Sequence, residues 1–250
     1  MKDGKRIVAV LPAYNAEKTL KMTLDDIPKD LFDEIVLVDD ASRDRTVELA
    51  RELGLKHVIV HPKNRGYGGN QKTCYKTALG LGADIVVMIH PDYQYDPTLA
   101  PELVNPILEG RADCVLGSRL MRDEALKGKM PVWKYIGNKF LTGMENLVFG
   151  THYSEFHTGY RSYSRKVLST LRLEMNNDGF VFDQEIIAQM LANGFRITEV
   201  PIPTRYFKEA SSVSFTASVK YGMLTLGTLV WFAMHQRFGL RRKGLLPLDQ

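Results

Sequence analysis

The most informative segment of this 250-residue sequence is Ile85-Val86-Val87-Met88-Ile89-His90-Pro91-Asp92-Tyr93-Gln94. Its five apolar residues, mostly β-branched, predict a strand buried on both faces of a parallel sheet. Pro91 has no N–H to give to a sheet and ends the strand. In open α/β sheets, ligands bind beyond the carboxyl ends of the strands. The segment therefore predicts a binding site directly after a buried strand, unless Pro91 and Asp92 merely begin a turn.

The polar residues that end this segment form a candidate metal site. If the chain stays extended beyond Ile89, the side chains of His90, Asp92 and Gln94 project to one side, because side chains alternate along a strand. Mg²⁺ or Mn²⁺ holds a diphosphate through few protein ligands. His90, Asp92 and Gln94 are therefore predicted to bind a divalent cation that carries a diphosphate.

The residues before this segment alternate between predicted strands and helices. Short apolar runs at residues 6–11, 35–38 and 57–60 predict three further strands, and helices are predicted between them. Asn15 is predicted to cap the first helix. This alternation predicts a parallel, doubly wound sheet with right-handed crossovers. The polar loops after the first, second and fourth strands would then face one edge of the sheet.

The rest of the chain continues the α/β pattern less regularly. Helices are predicted at residues 99–110, 133–149, 165–171 and 183–192, and strands at residues 112–117 and 195–200. The charged residues 120–130 predict a loop. Residues 158–163 are assigned no helix or strand.

Composition favours an ordinary globular protein. The apolar content of 44% supports a full core. The net charge of +4 originates at the C-terminus, where residues 201–250 hold seven Lys or Arg against two acidic residues, so a nucleic-acid-binding surface is not expected. Cys74 and Cys114 fit no zinc pattern and are expected to be free thiols in a reducing compartment. No signal peptide is expected, because a strand follows the first six residues directly.

The C-terminal residues predict an apolar helix with a basic tail. Residues 221–236 are uncharged, but this run of 16 is shorter than the roughly 20 residues that span a bilayer. Its aromatic residues, followed by Arg237, Arg241, Arg242 and Lys243, suit a helix at a membrane interface, where anionic lipid contributes about 1 kcal/mol per cation. The alternative is a hydrophobic helix docked on the core or on a partner subunit.

Three groups of polar residues have both a functional and a structural interpretation. Asp39 and Asp40, at a strand end, could bind a base and a ribose or cap the next helix. Arg119 could bind a phosphate or be an exposed arginine. Asp183 and Glu185 could act in catalysis or complement the dipole of the helix that they begin.

Two other features carry less functional information. The glycine-rich residues 64–70 match neither GxGxxG nor a Walker A loop, and the first strand–helix loop has no glycine, so an NAD-dependent oxidoreductase is poorly supported. His152 and His157 have no metal-binding spacing and are expected to be structural.

Several short segments recur in one known family in this order and spacing. They are residues 11–15 (LPAYN), 38–44 (VDDASRD), 64–70 (NRGYGGN), 117–119 (GSR), 158–161 (TGYR), 179–185 (GFVFDQE) and 199–202 (EVPI), leading to Ser211-Ser212. Together they resemble the family 2 glycosyltransferases with the GT-A fold, and most of all the dolichyl/polyprenyl-phosphate sugar synthases. The resemblance covers residues 7–215.

The resemblance implies a GT-A-type α/β domain with a doubly wound, mostly parallel sheet flanked by helices. Residues 1–97 would be its nucleotide-binding half and residues 98–215 its acceptor half, and residues 216–250 would form an apolar interface helix and basic tail. It also implies inverting transfer of a sugar from a nucleoside-diphosphate sugar. A polyprenyl phosphate is the favoured acceptor, at the cytoplasmic face of the membrane. A homo-oligomer or a membrane partner subunit stays open.

The resemblance also implies roles for individual residues. It places Pro12, Tyr14, Asp39, Asp40 and Gly68 at the nucleotide, Asp92 and Gln94 on Mn²⁺ or Mg²⁺, Arg119 at a phosphate, and Asp183 and Glu185 at the sugar and acceptor. His90 stands where the family has an aspartate, which removes a negative charge and predicts weaker or altered metal dependence. A phosphate acceptor is already ionised, whereas a hydroxyl would need Asp183 or Glu185 as its base.

Two other functions remain open at this point. One is a soluble glycosyltransferase that acts on a saccharide or on a small-molecule hydroxyl. The other is a non-catalytic, sugar-nucleotide-binding subunit whose apolar tail docks on an integral membrane partner, and His90 is the argument for it.

Overall fold

The fold is built on a seven-stranded sheet. The computed structural model describes residues 1–2, 4–121, 130–203, 215–239 and 243–248. The strands are β1 (Ile7–Ala13), β2 (Glu34–Asp39), β3 (His57–Val60), β4 (Ile85–Met88), β5 (Cys114–Ser118), β6 (Arg161–Ser164) and β7 (Ile197–Pro201). They lie in the order β3-β2-β1-β4-β6-β5-β7.

Helices cover both faces of the sheet. They are α1 (Leu20–Asp26), α2 (Thr46–Glu52), α3 (Tyr67–Gly80), α4 (Ala100–Leu108), α5 (Val132–Phe149), α6 (Arg165–Thr170), α7 (Phe182–Ala192) and α8 (Phe215–Phe238). In β1, Ile7, Ala9 and Leu11 pack in the core formed with α1, α2 and α4, whereas Val8 and Val10 pack with α3, α6 and α7. This alternation of fully buried side chains confirms the doubly wound architecture.

The strands β1 to β4 confirm the predicted parallel half. β1 pairs in parallel with β2 on one side and with β4 on the other, and β2 pairs in parallel with β3. The apolar residues of β1 and β4 and most of those of β2 stay buried because helices cover both faces, whereas the edge strand β3 is half-buried and ends at the exposed Val60. The loops after β1, β2 and β4 therefore meet at one edge of the sheet, as expected.

Strand β6 was not predicted. It runs antiparallel between β4 and β5, with Arg161 opposite Met88 and Leu116. Arg161 and Ser162 are buried and hydrogen-bonded; Ser162 Oγ, for example, donates to the carbonyl of Leu103 at 2.6 Å. Because β6 runs opposite to β4, its first residue lies at the edge where β4 ends. This places Arg161 beside the predicted site.

Helices α5 and α8 pack against each other beside the sheet. The 24-residue α8 buries Leu229 and Phe232 but exposes Met223 and Trp231. Within the described ranges, no helix is both long enough and apolar enough to span a membrane. Residues 122–129 of the predicted loop, Ser211-Ser212, Arg241 and Arg242 lie outside the described residues.

One local prediction was wrong. Asn15 does not cap α1, which begins at Leu20 after Thr19. Asn15 instead adopts a left-handed conformation with φ of 52°, and its side-chain oxygen accepts a hydrogen bond from the Arg43 N–H at 2.8 Å. Asparagine tolerates this conformation better than most residues. Asn15 therefore joins the loops after β1 and β2.

Candidate active site

A cavity of about 560 Å³ lies at the carboxyl ends of β4 and β5. One wall carries polar residues from the loops after these strands and from the start of β6. The opposite wall is formed by α5 and α8 and includes Trp133, Phe140 and Met223. The cavity therefore combines a polar sheet edge with an apolar helical wall, a composition typical of small-molecule sites.

The segment after β4 reaches this cavity by a turn. Residues beyond Ile89 do not stay extended: Tyr93 has a left-handed φ of 58°, and Asp92 Oδ1 accepts a hydrogen bond from the Gln94 N–H at 3.1 Å. The prediction of an extended backbone beyond Ile89 was therefore wrong. His90, Asp92 and Gln94 nevertheless all line the cavity.

His90 is held in the wall by its neighbours. Its ring stacks on Tyr67 with centroids 5.6 Å apart and an interplanar angle of 7°. Its Nε2 lies 3.4 Å from Tyr67 Oη and fills the space that a Cβ at Gly159 would occupy. Burial lowers the pKa of His90 below the usual histidine value, although Asp92 and Asp183 oppose this shift. The imidazole is therefore neutral at pH 7.

The donor set at this wall fits a hard cation with few protein ligands. The described residues contain no cluster of three His, Cys, Asp or Glu side chains suited to a metal. Asp92 and Gln94 nevertheless supply a carboxylate and an amide oxygen to one wall, and Mg²⁺ or Mn²⁺ can take its remaining ligands from a diphosphate and water. Since His90 Nε2 faces Tyr67 and Gly159, the oxygen donors fit this role best.

Asp183 lies in the cavity wall with its carboxylate fully engaged. Its Oδ2 accepts a hydrogen bond from Tyr67 Oη at 2.9 Å, and its Oδ1 accepts one from Gln71 Nε2 at 3.2 Å. The buried guanidinium of Arg161 lies 3.6 Å from Oδ2. Burial opposes the charge of Arg161, but Asp183 outweighs it and raises the pKa of the guanidinium. These contacts hold the Asp183 carboxylate in place at the cavity wall.

Arg119 follows β5 and reaches the cavity through a buried ion pair. Glu155 accepts hydrogen bonds from the Arg119 N–H at 2.7 Å and from Nε at 2.8 Å, and the pair also contacts through Nη2. Asn138 Nδ2 donates to the same carboxylate at 2.7 Å. Burial favours a raised pKa for Glu155, but Arg119 outweighs it and holds the pKa below its usual value.

Glu185 lies apart from the other predicted catalytic residues. It does not line the cavity, and its carboxylate accepts a hydrogen bond from the Asn177 N–H at 2.6 Å. Glu185 follows Asp183 by two residues in α7, and residues two apart point in different directions on a helix. Asp183 therefore faces the cavity and Glu185 does not.

The predicted nucleotide residues lie at the same sheet edge, outside the cavity wall. Asp39 accepts a hydrogen bond from the Ser42 N–H at 2.9 Å, and Asp40 accepts from His61 Nδ1 and from the Arg65 and Gly66 N–H groups at 2.7 to 3.0 Å. Neither caps α2, because Asp44 performs that role by accepting from Thr46. Asp40 therefore orders the glycine-rich loop. Pro12 is half-buried and Tyr14 is exposed.

Gly68 packs against the start of α7 and the turn before it. A Cβ at this position would lie 2.5 Å from the Asn177 carbonyl and 2.7 Å from Phe182 Cβ, and its N–H donates to the Asp178 carbonyl at 2.7 Å. Its lack of a side chain thus serves the close approach of α3 to α7. The proposed nucleotide contact has no support from this geometry.

Tyr67, Arg161 and Tyr221 line the cavity but were not predicted as site residues. Arg161 stood in a recognised segment, and its neighbour Thr158 accepts a hydrogen bond from Nε through its carbonyl at 2.6 Å. His157, expected to be structural, also lines the cavity. No local pattern brings these residues together, because they come from α3, β6, α8 and a loop.

Comparison with known proteins identifies the family. Residues 8–172 match the family described as glycosyl transferase family 2. The UDP-N-acetylglucosamine–dolichyl-phosphate N-acetylglucosaminyltransferase of Methanococcus voltae is 30% identical over 81% of this chain and 86% of its own length. The undecaprenyl-phosphate mannosyltransferase of Micrococcus luteus is 28% identical over 79% of this chain and 82% of its own length.

A solved structure supports the GT-A architecture. Glucosyl-3-phosphoglycerate synthase from Mycobacterium tuberculosis, crystallised with Mn²⁺ and UDP-glucose, matches with a TM-score of 0.71 at 22% identity. The match covers 97% of this chain and 82% of that chain. At this identity the likeness establishes the fold alone, and the fold agrees with the family match. This chain belongs to glycosyltransferase family 2 and is a glycosyltransferase.

Proposed function

We propose that this protein transfers a sugar from a nucleoside-diphosphate sugar to a polyprenyl phosphate at a membrane surface. Residues 1–97 would hold the nucleotide and residues 98–215 the sugar and the acceptor phosphate. The transfer would proceed by direct displacement with inversion. The observation that carries this proposal is the cavity in which Asp92, Gln94 and Arg119 face an apolar wall formed by α5 and α8.

That apolar wall continues onto exposed surface. Exposed apolar side chains of the packed α5–α8 pair are Val132, Trp133, Ile136, Phe140, Leu147, Val219, Met223, Leu224, Val230 and Trp231. We call these residues the apolar surface. Exposed apolar residues in this number mark an interaction site on a globular protein. A lipid acceptor explains why the surface and the cavity wall share Trp133, Phe140 and Met223.

Basic residues on the same helices favour a bilayer over another apolar partner. Lys134 and Lys139 lie on α5, and Lys220 and Arg237 lie on α8, whereas α5 and α8 together carry one acidic residue, the buried Glu145. Each cation near an anionic membrane contributes about 1 kcal/mol to binding. Aromatic residues such as Trp133 and Trp231 suit the headgroup region. The protein would therefore bind the membrane peripherally.

The state of the carboxylates favours a phosphate acceptor. A phosphate oxygen attacks the anomeric carbon, the bond from that carbon to the donor diphosphate breaks, and the electron pair leaves with the nucleoside diphosphate. No proton has to be removed from an ionised phosphate. A hydroxyl acceptor would need a base, but Asp183 is already paired with Tyr67 and Arg161 and Glu185 lies outside the cavity.

Positive charge at the sheet edge would meet the diphosphate. Arg119 is held by Glu155 and by the His157 carbonyl at the cavity wall, where its permanent positive charge would attract phosphate oxygens. Asp92 and Gln94 would hold the divalent cation, with His90 as a neutral neighbour. When bound, such a cation neutralises charge that develops on the leaving diphosphate. The M. tuberculosis synthase of the same fold was crystallised with Mn²⁺ and UDP-glucose.

The names of the relatives support the acceptor class. The M. voltae relative is named for transfer to dolichyl phosphate, and the M. luteus relative for transfer to undecaprenyl phosphate. Both align over about four fifths of this chain, a share that includes the cavity loops. This agreement favours a polyprenyl phosphate over a soluble saccharide.

The test is a competition between acceptor classes. The protein is incubated with Mn²⁺, a panel of labelled UDP- and GDP-sugars, and either undecaprenyl phosphate in vesicles or soluble saccharides. We expect one donor to label the lipid fraction. Transfer only to soluble saccharides would refute the lipid acceptor, and nucleotide binding without any transfer would instead support a non-catalytic subunit.

A further inference from the structure

A chain of buried polar side chains connects α8 to the cavity. Tyr221 on α8 places its Oη 2.6 Å from Nδ1 of His157, in the loop before β6. His157 Nε2 lies 2.9 Å from Oε2 of Glu145 on α5. Gln184 on α7 lies beside them, with Nε2 2.6 Å from Tyr221 Oη. We call these contacts the Tyr221–His157–Glu145 chain.

The donors and acceptors give this chain a direction. An amide nitrogen only donates, so Tyr221 Oη accepts from Gln184 Nε2, which also lies 3.0 Å from His157 Nδ1. The Tyr221 hydroxyl donates to His157 Nδ1 over the shorter distance of 2.6 Å. Burial raises the pKa of Tyr221, which keeps that hydroxyl protonated. Nδ1 of His157 thus faces the Tyr221 hydroxyl, and its other ring nitrogen, Nε2, faces Glu145. The three side chains therefore link α8 to α5 in one ordered series.

Packing alone does not explain Glu145. Its side chain is fully buried, and neither of its oxygens has a hydrogen bond of good geometry among the described residues. His157 is the positively polarised group that faces it. A buried carboxylate with so little support destabilises a protein relative to an apolar residue of the same size. Such a residue indicates a role for the chain that it ends.

His157 connects this chain to the cavity arginine. Its backbone carbonyl accepts a hydrogen bond from Arg119 Nη2 at 2.6 Å, while its side chain contacts Tyr221. Residues on both sides of Tyr221, Val219 and Met223, are exposed members of the apolar surface. The same part of α8 thus faces the proposed membrane and, through His157, the guanidinium that would meet phosphate.

We propose that Tyr221 and His157 are positioning residues that couple the seating of α8 on a membrane to the placement of Arg119. The proposal rests on the proposed transfer to a membrane-held phosphate. When α8 seats on lipid, Tyr221 fixes the His157 ring, and the His157 carbonyl holds Arg119 at the cavity. Without the membrane, the first half of α8 loses its outer support and this link weakens.

The first test compares Tyr221→Phe with Tyr153→Phe in transfer to vesicle-held polyprenyl phosphate. Tyr153 is the control, because its hydroxyl donates a partly buried hydrogen bond to the Ile197 carbonyl at 3.0 Å, away from the cavity. We expect Tyr221→Phe to lower kcat about tenfold with an unchanged KM for the nucleotide sugar, the size of one lost hydrogen bond. Tyr153→Phe should leave both constants within about twofold. Equal effects of the two variants would overturn the proposal.

A double-mutant cycle tests whether the effect passes through His157. Tyr221→Phe should have no further effect in a His157→Ala background, because the partner is already gone. His157→Asn keeps an acceptor near the position of Nδ1. Its kcat should therefore lie between those of His157→Ala and the wild type. Additive losses in the double variant would overturn the coupling.

A measurement without acceptor separates this proposal from the proposed function. Hydrogen exchange at the Arg119 N–H, which donates to Glu155, is followed with and without vesicles of phosphatidylglycerol and phosphatidylcholine. Vesicles should slow this exchange in the wild type but not in Tyr221→Phe, and the same response in both proteins would overturn the coupling. A wild type that makes no lipid-linked sugar would refute the proposed function, whereas the exchange result judges the coupling by itself.

Discussion

Replacing Glu155 with glutamine should destabilise the protein by about 3 kcal/mol at pH 7. The carboxylate is fully buried, and Arg119 beside it is 9% exposed. Removing one partner of a buried ion pair costs about 3–5 kcal/mol, because the other charge stays buried without compensation. Glutamine has the same size and keeps one acceptor oxygen, so we expect the low end of that range. The loss would appear in urea unfolding as a lower midpoint with an unchanged slope.

The effect should depend on pH in a defined direction. The folded-state pKa of Glu155 is held below its usual value by Arg119 against the effect of burial. Its contribution is therefore fully present above the unfolded pKa of about 4.3 and is lost as pH falls through the folded pKa. The difference in stability between wild type and Glu155→Gln should shrink below about pH 4.3.

Glu199→Gln provides the matched control. Glu199 accepts hydrogen bonds from Ser154 and from the Glu155 N–H, but burial raises its pKa against those bonds. Its contribution is thus present below the unfolded pKa and is lost as pH rises through the folded value. The loss of stability in Glu199→Gln should be smaller at pH 7 than the loss in Glu155→Gln. It should also change with pH in the opposite direction. A loss under about 1 kcal/mol in Glu155→Gln, or the same pH trend in both variants, would refute the buried-pair reasoning.

Two further predictions concern packing and the membrane. Gly68→Ala should destabilise the protein by about 1–3 kcal/mol in urea unfolding, because the new Cβ would lie 2.7 Å from Phe182 Cβ, whereas Gly80→Ala in the same helix meets nothing within 4 Å and should be neutral or slightly stabilising. Equal effects at the two glycines would contradict this account of the contact between α3 and α7. Trp231→Glu should weaken co-sedimentation with anionic vesicles about tenfold, because an exposed aromatic side chain that would contact lipid is replaced by a charge that the membrane repels. Met22→Glu, at an exposed apolar position on α1, should leave vesicle binding unchanged.

The parallel half of the fold could be predicted because its signals are local. In the segment that begins with β4, apolar β-branched residues and a following proline predict the strand and its end without knowledge of the rest of the chain. The same reasoning found β1 to β3 and the edge at which their loops meet. The central strands β1 and β4 are buried on both faces, so their sequences carry an unbroken apolar signal.

Strand β6 gave no such signal. Arg161-Ser162-Tyr163-Ser164 is polar and short, yet it lies between β4 and β5. It is stable there because its polar groups find partners from distant parts of the chain, such as the bond from Ser162 to Leu103. Partners that come from tertiary structure leave no periodic pattern in the sequence.

Asp92, Gln94, Arg119 and Asp183 were predicted as site residues and line the cavity, but the geometry of the cavity was not predicted. A turn at Tyr93, not an extended strand, brings Asp92 and Gln94 to the cavity, and backbone conformation beyond a proline is not encoded by side-chain alternation. The second wall depends on α5 and α8, which are far apart in sequence and meet only when the chain folds. An amphipathic pattern predicted α5 and an apolar run predicted α8, but neither pattern could predict that the two helices share one cavity.

The site after β4 is proposed to transfer a sugar from a nucleoside diphosphate to a lipid phosphate, and one measurement tests this most directly. Wild type and Asp92→Ala are compared for labelled sugar in the lipid fraction, with Asp25→Ala as a control for an exposed, ion-paired aspartate. We predict labelled lipid from wild type and Asp25→Ala, and a loss of at least about 100-fold in Asp92→Ala, as expected when a group that serves charge stabilisation in the transition state is removed. Undiminished labelling by Asp92→Ala, or no labelled lipid from the wild type with any donor, would contradict the account.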